Sequence, residues 1–136
     1  MSIQSSHIFV NLPVKDLERS KAFFEEVGFE FEEEMTDQNA ACMIIGPTIY
    51  VMLLTEDYFK SFSKREIADT SKSSEVITAI SATSKAEVDE LVSNAFKAGG
   101  QKANEKMDDE YMYVWSFKDL DGHMWEVLYM PGEEAE

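Results

Sequence analysis

The 136-residue sequence has a single cysteine, Cys42, so no intramolecular disulfide can form. Cys42 lies in the apolar run AACMII, where we expect it to be a small core residue. No apolar run approaches the roughly 18 residues that a membrane-spanning helix requires. The opening residues, MSIQSSH, also lack the charged and apolar regions of a secretion signal. These absences predict a soluble, cytoplasmic protein with no membrane role.

Basic residues are scarce: 12 Lys and Arg stand against 27 Asp and Glu, for a formal net charge of −15. Such a surface repels phosphate backbones and anionic lipids, so we expect no nucleic-acid partner. The charge favours cationic partners, although it also simply keeps a protein soluble. By contrast, 44% of the residues are hydrophobic and 12% are aromatic, which is enough for the core of one ordinary domain.

Motifs for nucleophilic and phosphate chemistry are missing as well. The sequence contains no G-x-S-x-G, no glycine-rich phosphate loop, and no histidine close to Cys42. We therefore expect no catalytic nucleophile.

The first half of the chain reads as one strand, one helix and three more strands. Residues 7–14 alternate in polarity as a strand does, and Asp16 is placed to cap a helix that Gly28 ends. Three short strands follow, separated by turn residues: 29–36, 40–45 and 49–55.

The second half repeats this order. Ser84 and Glu87 form a capping box, and Gly99-Gly100 ends the helix that it opens. Ser84 lies 68 positions after Asp16, half the chain length. The predicted strands of this half are 75–83, 101–107, 111–117 and 123–130. The sequence therefore predicts an α+β fold of tandem βαβββ modules, 7–55 and 75–130, within one domain spanning 1–136.

Between the modules, residues 56–74 are polar and lack sustained strand periodicity, which predicts a linker. Tyr58, Phe59 and Phe62 are spaced as on one short helix. We favour local core packing for this helix over the alternative, a lid folded over a cavity.

Two stretches resemble one known superfamily. D-L-E-R-S-x-A-F-F-x-x-x-G-F follows the first strand, and F-x-D-L-D-G-H-x-W-E enters the last. Together with the duplication they resemble the vicinal oxygen chelate superfamily, which includes glyoxalase I, bleomycin-resistance proteins, fosfomycin-resistance enzymes and extradiol dioxygenases. The resemblance covers nearly the whole chain. It implies curled mixed sheets around a shared cleft, usually within a homodimer.

The resemblance also implies where metal ligands would lie: on the first and last strand of each module. The matching positions are Phe9, Ile77, Glu126 and, by counting from Gly46, Tyr50, or Met52 if that turn differs. Only Glu126 is a competent ligand for a hard divalent metal. His7 lies roughly 6.5 Å along the strand from Phe9, too far to replace it. We therefore expect no metal and no other cofactor, with a divalent metal as the alternative.

The same strand faces would line the cleft, and an aromatic strand would add to its wall. The predicted ligand-binding residues are Phe9, Asn11, Tyr50, Met52, Ile77, Tyr113, Trp115 and Glu126. For any single aromatic residue, ordinary sheet packing is the alternative. For Glu126, the best catalytic candidate, the alternative is a buried acid held by a tyrosine hydroxyl or by backbone amides.

Three functions are compatible with these residues. The first is a metal-free small-molecule binding protein of the bleomycin-resistance type, with a cationic or aromatic ligand. The alternative is a glyoxalase-like lyase or isomerase, or a dioxygenase-family enzyme, in which Glu126 acts with a divalent metal or as a general base. The third is a domain retained for association, without a pocket.

Overall fold

The computed structural model describes residues 2–131 and divides into two compact units. The first unit holds residues up to 67 except 26–28, and the second holds 26–28 and the residues from 68 onward. Each unit contains one mixed β-sheet. The fold is thus α+β with two mixed sheets and three helices, as predicted. Among the described residues, no helix combines the length and apolarity needed to cross a bilayer.

The first unit has the predicted βαβββ order and a further helix after it. Its elements are β1 (Ile8–Val14), α1 (Leu17–Val27, whose last two residues belong to the second unit), β2 (Glu30–Glu32), a 3₁₀ turn (Glu33–Met35), β3 (Ala40–Gly46), β4 (Ile49–Thr55) and α2 (Glu56–Ser63). The sheet order is β1-β4-β3-β2, in which β1 and β4 are parallel and the other pairs antiparallel.

Local capping defines α1 as the sequence predicts. The Asp16 carboxylate accepts a hydrogen bond from the backbone amide of Arg19 at 3.1 Å, and Gly28 ends the helix with φ +129°. Both predictions are confirmed.

The two faces of the first sheet differ in burial. Residues that alternate along β1 and β4, among them Leu12, Val14, Val51 and Leu53, are almost fully buried. The other face, here called the open face, carries six residues in register on the same two strands: Phe9, Asn11 and Pro13 on β1, opposite Tyr50, Met52 and Leu54 on β4. The predicted site residues of this module therefore share one side of the sheet.

The predicted strand 29–36 is wrong in its second half, because β2 spans only Glu30–Glu32. Side chains here bind the local backbone in place of a strand partner. The Glu32 carboxylate accepts from the Glu34 amide at 3.5 Å, and the Thr36 hydroxyl donates to the Glu32 carbonyl at 2.8 Å. Thr36 also accepts from the Cys42 amide at 3.1 Å, which ties the turn to β3.

The second unit repeats the order with shorter edge strands. Its elements are β5 (Ile77–Ser81), α3 (Lys85–Lys97), β6 (Gln101–Lys102), β7 (Met107–Asp108), β8 (Tyr113–Lys118) and β9 (Met124–Tyr129). The sheet order is β5-β9-β8-β6, with β7 also paired to β8 and with β5 parallel to β9.

The predicted strand 101–107 is also wrong as a single element. The Asn104 amide donates to the Ser116 hydroxyl at 2.9 Å rather than to a backbone carbonyl, and the ladder is interrupted between β6 and β7.

The capping of α3 follows the prediction with one difference. The Ser84 hydroxyl accepts from the Glu87 amide at 3.0 Å, as a capping residue does. The Glu87 carboxylate, however, accepts from the Thr83 amide at 2.8 Å, one residue before the cap. The helix buries Val88, Val92 and Ala95.

Candidate functional site

The register of the parallel strands determines which positions of the two modules are equivalent. Phe9 and Ile77 each lie seven residues before a helix cap. Phe9 pairs with Tyr50, whereas Ile77 pairs with Met124. Tyr50 is therefore the counterpart of Met124, and not of Glu126.

The next pairs along the strands give the counterpart of Glu126. Asn11 pairs with Met52 in the first unit, and Ala79 pairs with Glu126 in the second. Met52 is therefore the counterpart of Glu126. Of the two residues predicted for this position, Tyr50 and Met52, the strand register selects Met52. The register of β3 and β4 shifts at Gly46, and counting from that glycine is therefore off by two residues.

Aromatic rings occupy the outer part of the open face in the first unit. The Phe9 and Tyr50 rings lie 5.1 Å apart and within 12° of parallel, and His7 lies 6.3 Å and 6.1 Å from them. The Tyr50 hydroxyl donates to the Pro47 carbonyl at 3.3 Å, while His7 Nδ1 bonds to the Ser6 hydroxyl at 2.9 Å. This end of the face is an aromatic surface, with Phe9 45% exposed.

The residues at the metal-ligand positions that the resemblance implies do not fit a divalent metal. Those positions hold a phenyl ring (Phe9), a thioether (Met52), a sec-butyl group (Ile77) and a single carboxylate (Glu126). A catalytic metal centre needs about three protein ligands, which are mainly carboxylates, imidazoles or thiolates. Within residues 2–131, no group of three or more His, Cys, Asp or Glu side chains is placed to hold a metal ion.

Glu126 lies on β9 with a half-buried side chain, between its register partners Ala79 and Ser116. In the described part of the chain, no hydrogen bond or ion pair engages its carboxylate. The alternative of a buried acid held by a tyrosine hydroxyl is therefore wrong. The hydroxyls of Tyr50 and Tyr113 donate elsewhere, to the Pro47 carbonyl and the Asp89 carboxylate.

The turn before β9 is built around Asp119, which is 5% exposed. Its Oδ1 accepts from the backbone amides of Asp121 at 2.9 Å and His123 at 3.0 Å, and its Oδ2 accepts from the Trp125 indole at 3.0 Å. Burial raises the pKa of the Asp119 carboxyl, and the nearby His123 and the Trp125 hydrogen bond oppose that rise. Asp119 thus holds together the turn that leads into β9. Its signal in the sequence is an acid six residues before a tryptophan, and Asp119 was missed as a candidate.

Tyr113 and Trp115 do not share a wall with Glu126, so that part of the prediction is wrong. Glu126 pairs with Ser116, and Trp115 pairs with Val127, whose side chain points to the other face. The Trp115 ring meets Phe96 of α3 edge-on at 5.5 Å. A ligand contact by either aromatic residue stays a prediction, on the face that α3 covers.

A helix borders the open face of the first unit. α2 begins after Thr55, whose hydroxyl accepts from the Tyr58 amide at 3.4 Å. The rings of Tyr58 and Phe62 meet edge-on at 5.0 Å, yet Phe62 is 64% exposed and α2 has no buried residue. Core packing was therefore the wrong choice for this helix.

The space between α2 and the open face, here called the α2 cleft, contains two adjoining cavities. The larger has a volume of about 570 Å³ and is lined by Asn11, Leu54, Phe59, Phe62 and Ser63. The smaller has about 370 Å³ and is lined by Asn11, Glu34, Met35, Thr36, Asp37, Ala40, Met52, Leu54, Tyr58 and Phe62. Asn11 and Met52 are the predicted site residues that the structure brings to it.

Other cleft residues were missed as candidates. Nothing in the local pattern indicates that Glu34 and Asp37 face Tyr58, because their approach depends on the turn after β2. The aromatic spacing of Phe59 and Phe62 was the available signal.

Comparisons with known proteins agree with this architecture. The sequence model of the bleomycin resistance protein-like N-terminal family matches residues 7–46. No curated protein matches the chain significantly. A solved hypothetical protein, SA1046 from S. aureus, is 31% identical over 95% of both chains, with a TM-score of 0.78.

Two more distant structures share the fold. A glyoxalase/bleomycin resistance protein/dioxygenase family enzyme from Burkholderia phytofirmans PsJN is 16% identical over 90% of this chain and 96% of that one, with a TM-score of 0.76. A mutant of the fosfomycin resistance protein FosX from Listeria monocytogenes, complexed with Mn(II) and 1S,2S-dihydroxypropylphosphonic acid, is 18% identical. The match covers 93% of this chain and 90% of that one, with a TM-score of 0.64. The matched N-terminal segment and these neighbours show that the chain has the fold of the glyoxalase and bleomycin resistance proteins, with an N-terminal segment similar to the bleomycin resistance protein-like family.

Proposed function

We propose that this protein binds a small molecule without a metal, in the α2 cleft of its first unit. The observation that carries the proposal is the cavity of about 570 Å³ between α2 and the open face. Pockets for small ligands are typically about 300–1,000 Å³, mostly apolar, with a few polar groups that orient the ligand. Here Leu54, Phe59 and Phe62 supply apolar surface, and Asn11 and Ser63 supply the polar groups. The ligand is cationic or aromatic, and the protein acts as a homodimer.

The side chains at the metal-ligand positions support binding without metal chemistry. Three of the four carry no hard ligand, and the remaining carboxylate would hold a divalent ion only weakly. No catalytic step therefore runs through a metal in this proposal.

An enzyme is the second candidate, and one observation favours it. The Glu126 carboxylate is half-buried and makes no hydrogen bond or ion pair within the described residues, so it is available as a general base. A glyoxalase-like lyase or isomerase, or a dioxygenase-family activity, would use this group. The third candidate, a domain for association alone, gains no support from a protein with a cleft of this size.

Ligand-induced thermal stabilisation tests the proposed function. A ligand that binds the folded state raises the melting temperature as its concentration rises. At 100 times its Kd, the ligand adds about 2.7 kcal/mol to the free energy of unfolding. We expect cationic or aromatic compounds to give such shifts in metal-free buffer. The variant Phe59→Ala should lose the shifts, whereas the control Tyr111→Ala, which removes a 74% exposed aromatic ring outside the cleft lining, should keep them.

The opposite pattern would contradict the proposal. If shifts occur only when a divalent metal is added, or if they survive in Phe59→Ala, the ligand does not bind in a metal-free α2 cleft.

A further inference from the structure

The two cavities of the α2 cleft differ in chemistry. They adjoin at Asn11, Leu54 and Phe62, which line both. The larger cavity adds Phe59 and Ser63, and its lining has no charged side chain. The smaller adds two carboxylates, Glu34 and Asp37, beside apolar and aromatic surface. A ligand that spans the cleft therefore meets an apolar compartment and an acidic one.

The position of Asp37 is set by its own turn. Its Oδ1 accepts from the backbone amides of Asn39 at 2.8 Å and Ala40 at 3.0 Å, and the Asp37 amide donates to the Ala40 carbonyl at 2.7 Å. The carboxylate is thus oriented before any ligand arrives. A preorganised charge loses less conformational freedom on binding, which favours affinity.

No described residue that lines either cavity is a lysine, arginine or histidine. The two carboxylates therefore have no basic neighbour in the lining, and the whole chain adds a net charge of −15. An anionic group entering the smaller cavity would be repelled, and a cationic group attracted. Both carboxylates are solvent-exposed, so the attraction is modest and depends on salt.

Aromatic rings complete the acidic compartment. Tyr58 lies in the smaller cavity, and Phe62, which it meets edge-on at 5.0 Å, lies at the junction of the two. An ammonium group over such rings gains cation–π attraction, and an apolar body can pack against Phe59 and Leu54. The division of the cavities thus matches a molecule with two chemically different ends.

We propose, on the basis of the proposed function, that the ligand is an amphiphilic amine. Its apolar body lies against Leu54, Phe59 and Phe62. Its protonated amine lies beside Glu34 and Asp37, and Asn11 at the junction supplies a hydrogen-bonding amide. The inference rests on the two adjoining cavities of the α2 cleft, one apolar and one acidic. The carboxylates of the acidic cavity indicate that the ligand end bound there is positively charged.

Three probes with the same phenylbutyl body test the charge preference: 4-phenylbutylamine, 4-phenylbutanol and the anion 5-phenylpentanoate. Isothermal titration should give the tightest binding for the amine, about tenfold tighter than the alcohol, and the weakest binding for the anion. The double variant Glu34→Gln, Asp37→Asn should reduce the affinity for the amine about tenfold and leave that for the alcohol unchanged. Both replacements keep the side-chain shape, and the amide that replaces the Asp37 carboxylate retains an oxygen for the turn amides. The control Glu33→Gln changes an exposed carboxylate of the same turn outside the lining and should leave all three affinities unchanged.

The outcomes separate this inference from the proposed function. If the alcohol or the anion binds as tightly as the amine, or if the double variant keeps the preference, the ligand class is wrong. If the alcohol binds as tightly as the amine and Phe59→Ala abolishes that binding, only the ligand class is contradicted. The proposed binding in the α2 cleft then stands. If none of the probes binds and no compound shifts the melting temperature, both proposals fail.

Discussion

Asp119→Asn should lower the free energy of unfolding by about 2 kcal/mol or more, because a buried acceptor of three hydrogen bonds is converted into a partial donor. In the folded protein both carboxylate oxygens accept: Oδ1 from two backbone amides and Oδ2 from the Trp125 indole. An amide keeps one acceptor oxygen and directs an NH₂ group at a donor. At least one buried N–H therefore loses its partner, whichever way the side chain turns.

Asp109→Asn is the matched control for this experiment. The Asp109 carboxylate also accepts from two backbone amides, those of Tyr111 at 2.8 Å and Met112 at 3.0 Å, but it is exposed and binds no indole. Its replacement by Asn keeps that acceptor, so we expect a change within about 0.5 kcal/mol. Urea unfolding of both variants provides the measurement. Equal losses would show that the Asp119–Trp125 bond and its burial do not stabilise the turn.

Asn11→Trp should lower the affinity of the α2 cleft for phenylbutylamine at least tenfold, which is equivalent to about 1.4 kcal/mol. Asn11 lines both cavities from the middle of β1, and its side chain is exposed, so a larger side chain can enter the cleft without displacing core residues. The indole would occupy the junction where both ends of the ligand pass.

Gln38→Trp adds the same side chain at an exposed loop position outside the lining and should leave the affinity unchanged. Isothermal titration and a thermal melt of each variant distinguish blocked binding from unfolding. If Asn11→Trp binds the amine as tightly as the unaltered protein does, the ligand lies elsewhere.

The features that sequence predicted correctly are local ones. Asp16 and Ser84 cap helices through hydrogen bonds three residues away, so their role is readable from spacing alone. The repeated βαβββ order follows from the same local signals, and with it the fold class.

The features that sequence did not predict depend on pairing between strands. Counting from Gly46 selected Tyr50, but the register shift at that glycine makes Met52 the counterpart of Glu126. Trp115 was assigned to the wall of Glu126 because both lie on apolar strands, and a one-residue difference in pairing reverses the face.

The α2 cleft shows the same limit. The spacing of Tyr58, Phe59 and Phe62 predicted a helix, and only the packing of that helix against the sheet decides between a core element and a cavity wall. The acidic compartment of the cleft could not be predicted from the sequence either. Glu34 and Asp37 reach the cleft because the chain leaves β2 after three residues and turns back through Thr36.

Titration of demetallated protein with Zn²⁺, Mn²⁺, Ni²⁺ and Fe²⁺, beside a Glu126→Gln variant, tests most directly the claim that this protein works without a metal. The four equivalent positions offer one carboxylate, so we predict no site tighter than about 100 μM, a binding free energy of roughly −5.5 kcal/mol, and the same weak heat in both proteins. A micromolar or tighter site with one metal per subunit, lost in Glu126→Gln, would contradict the account and favour the enzyme.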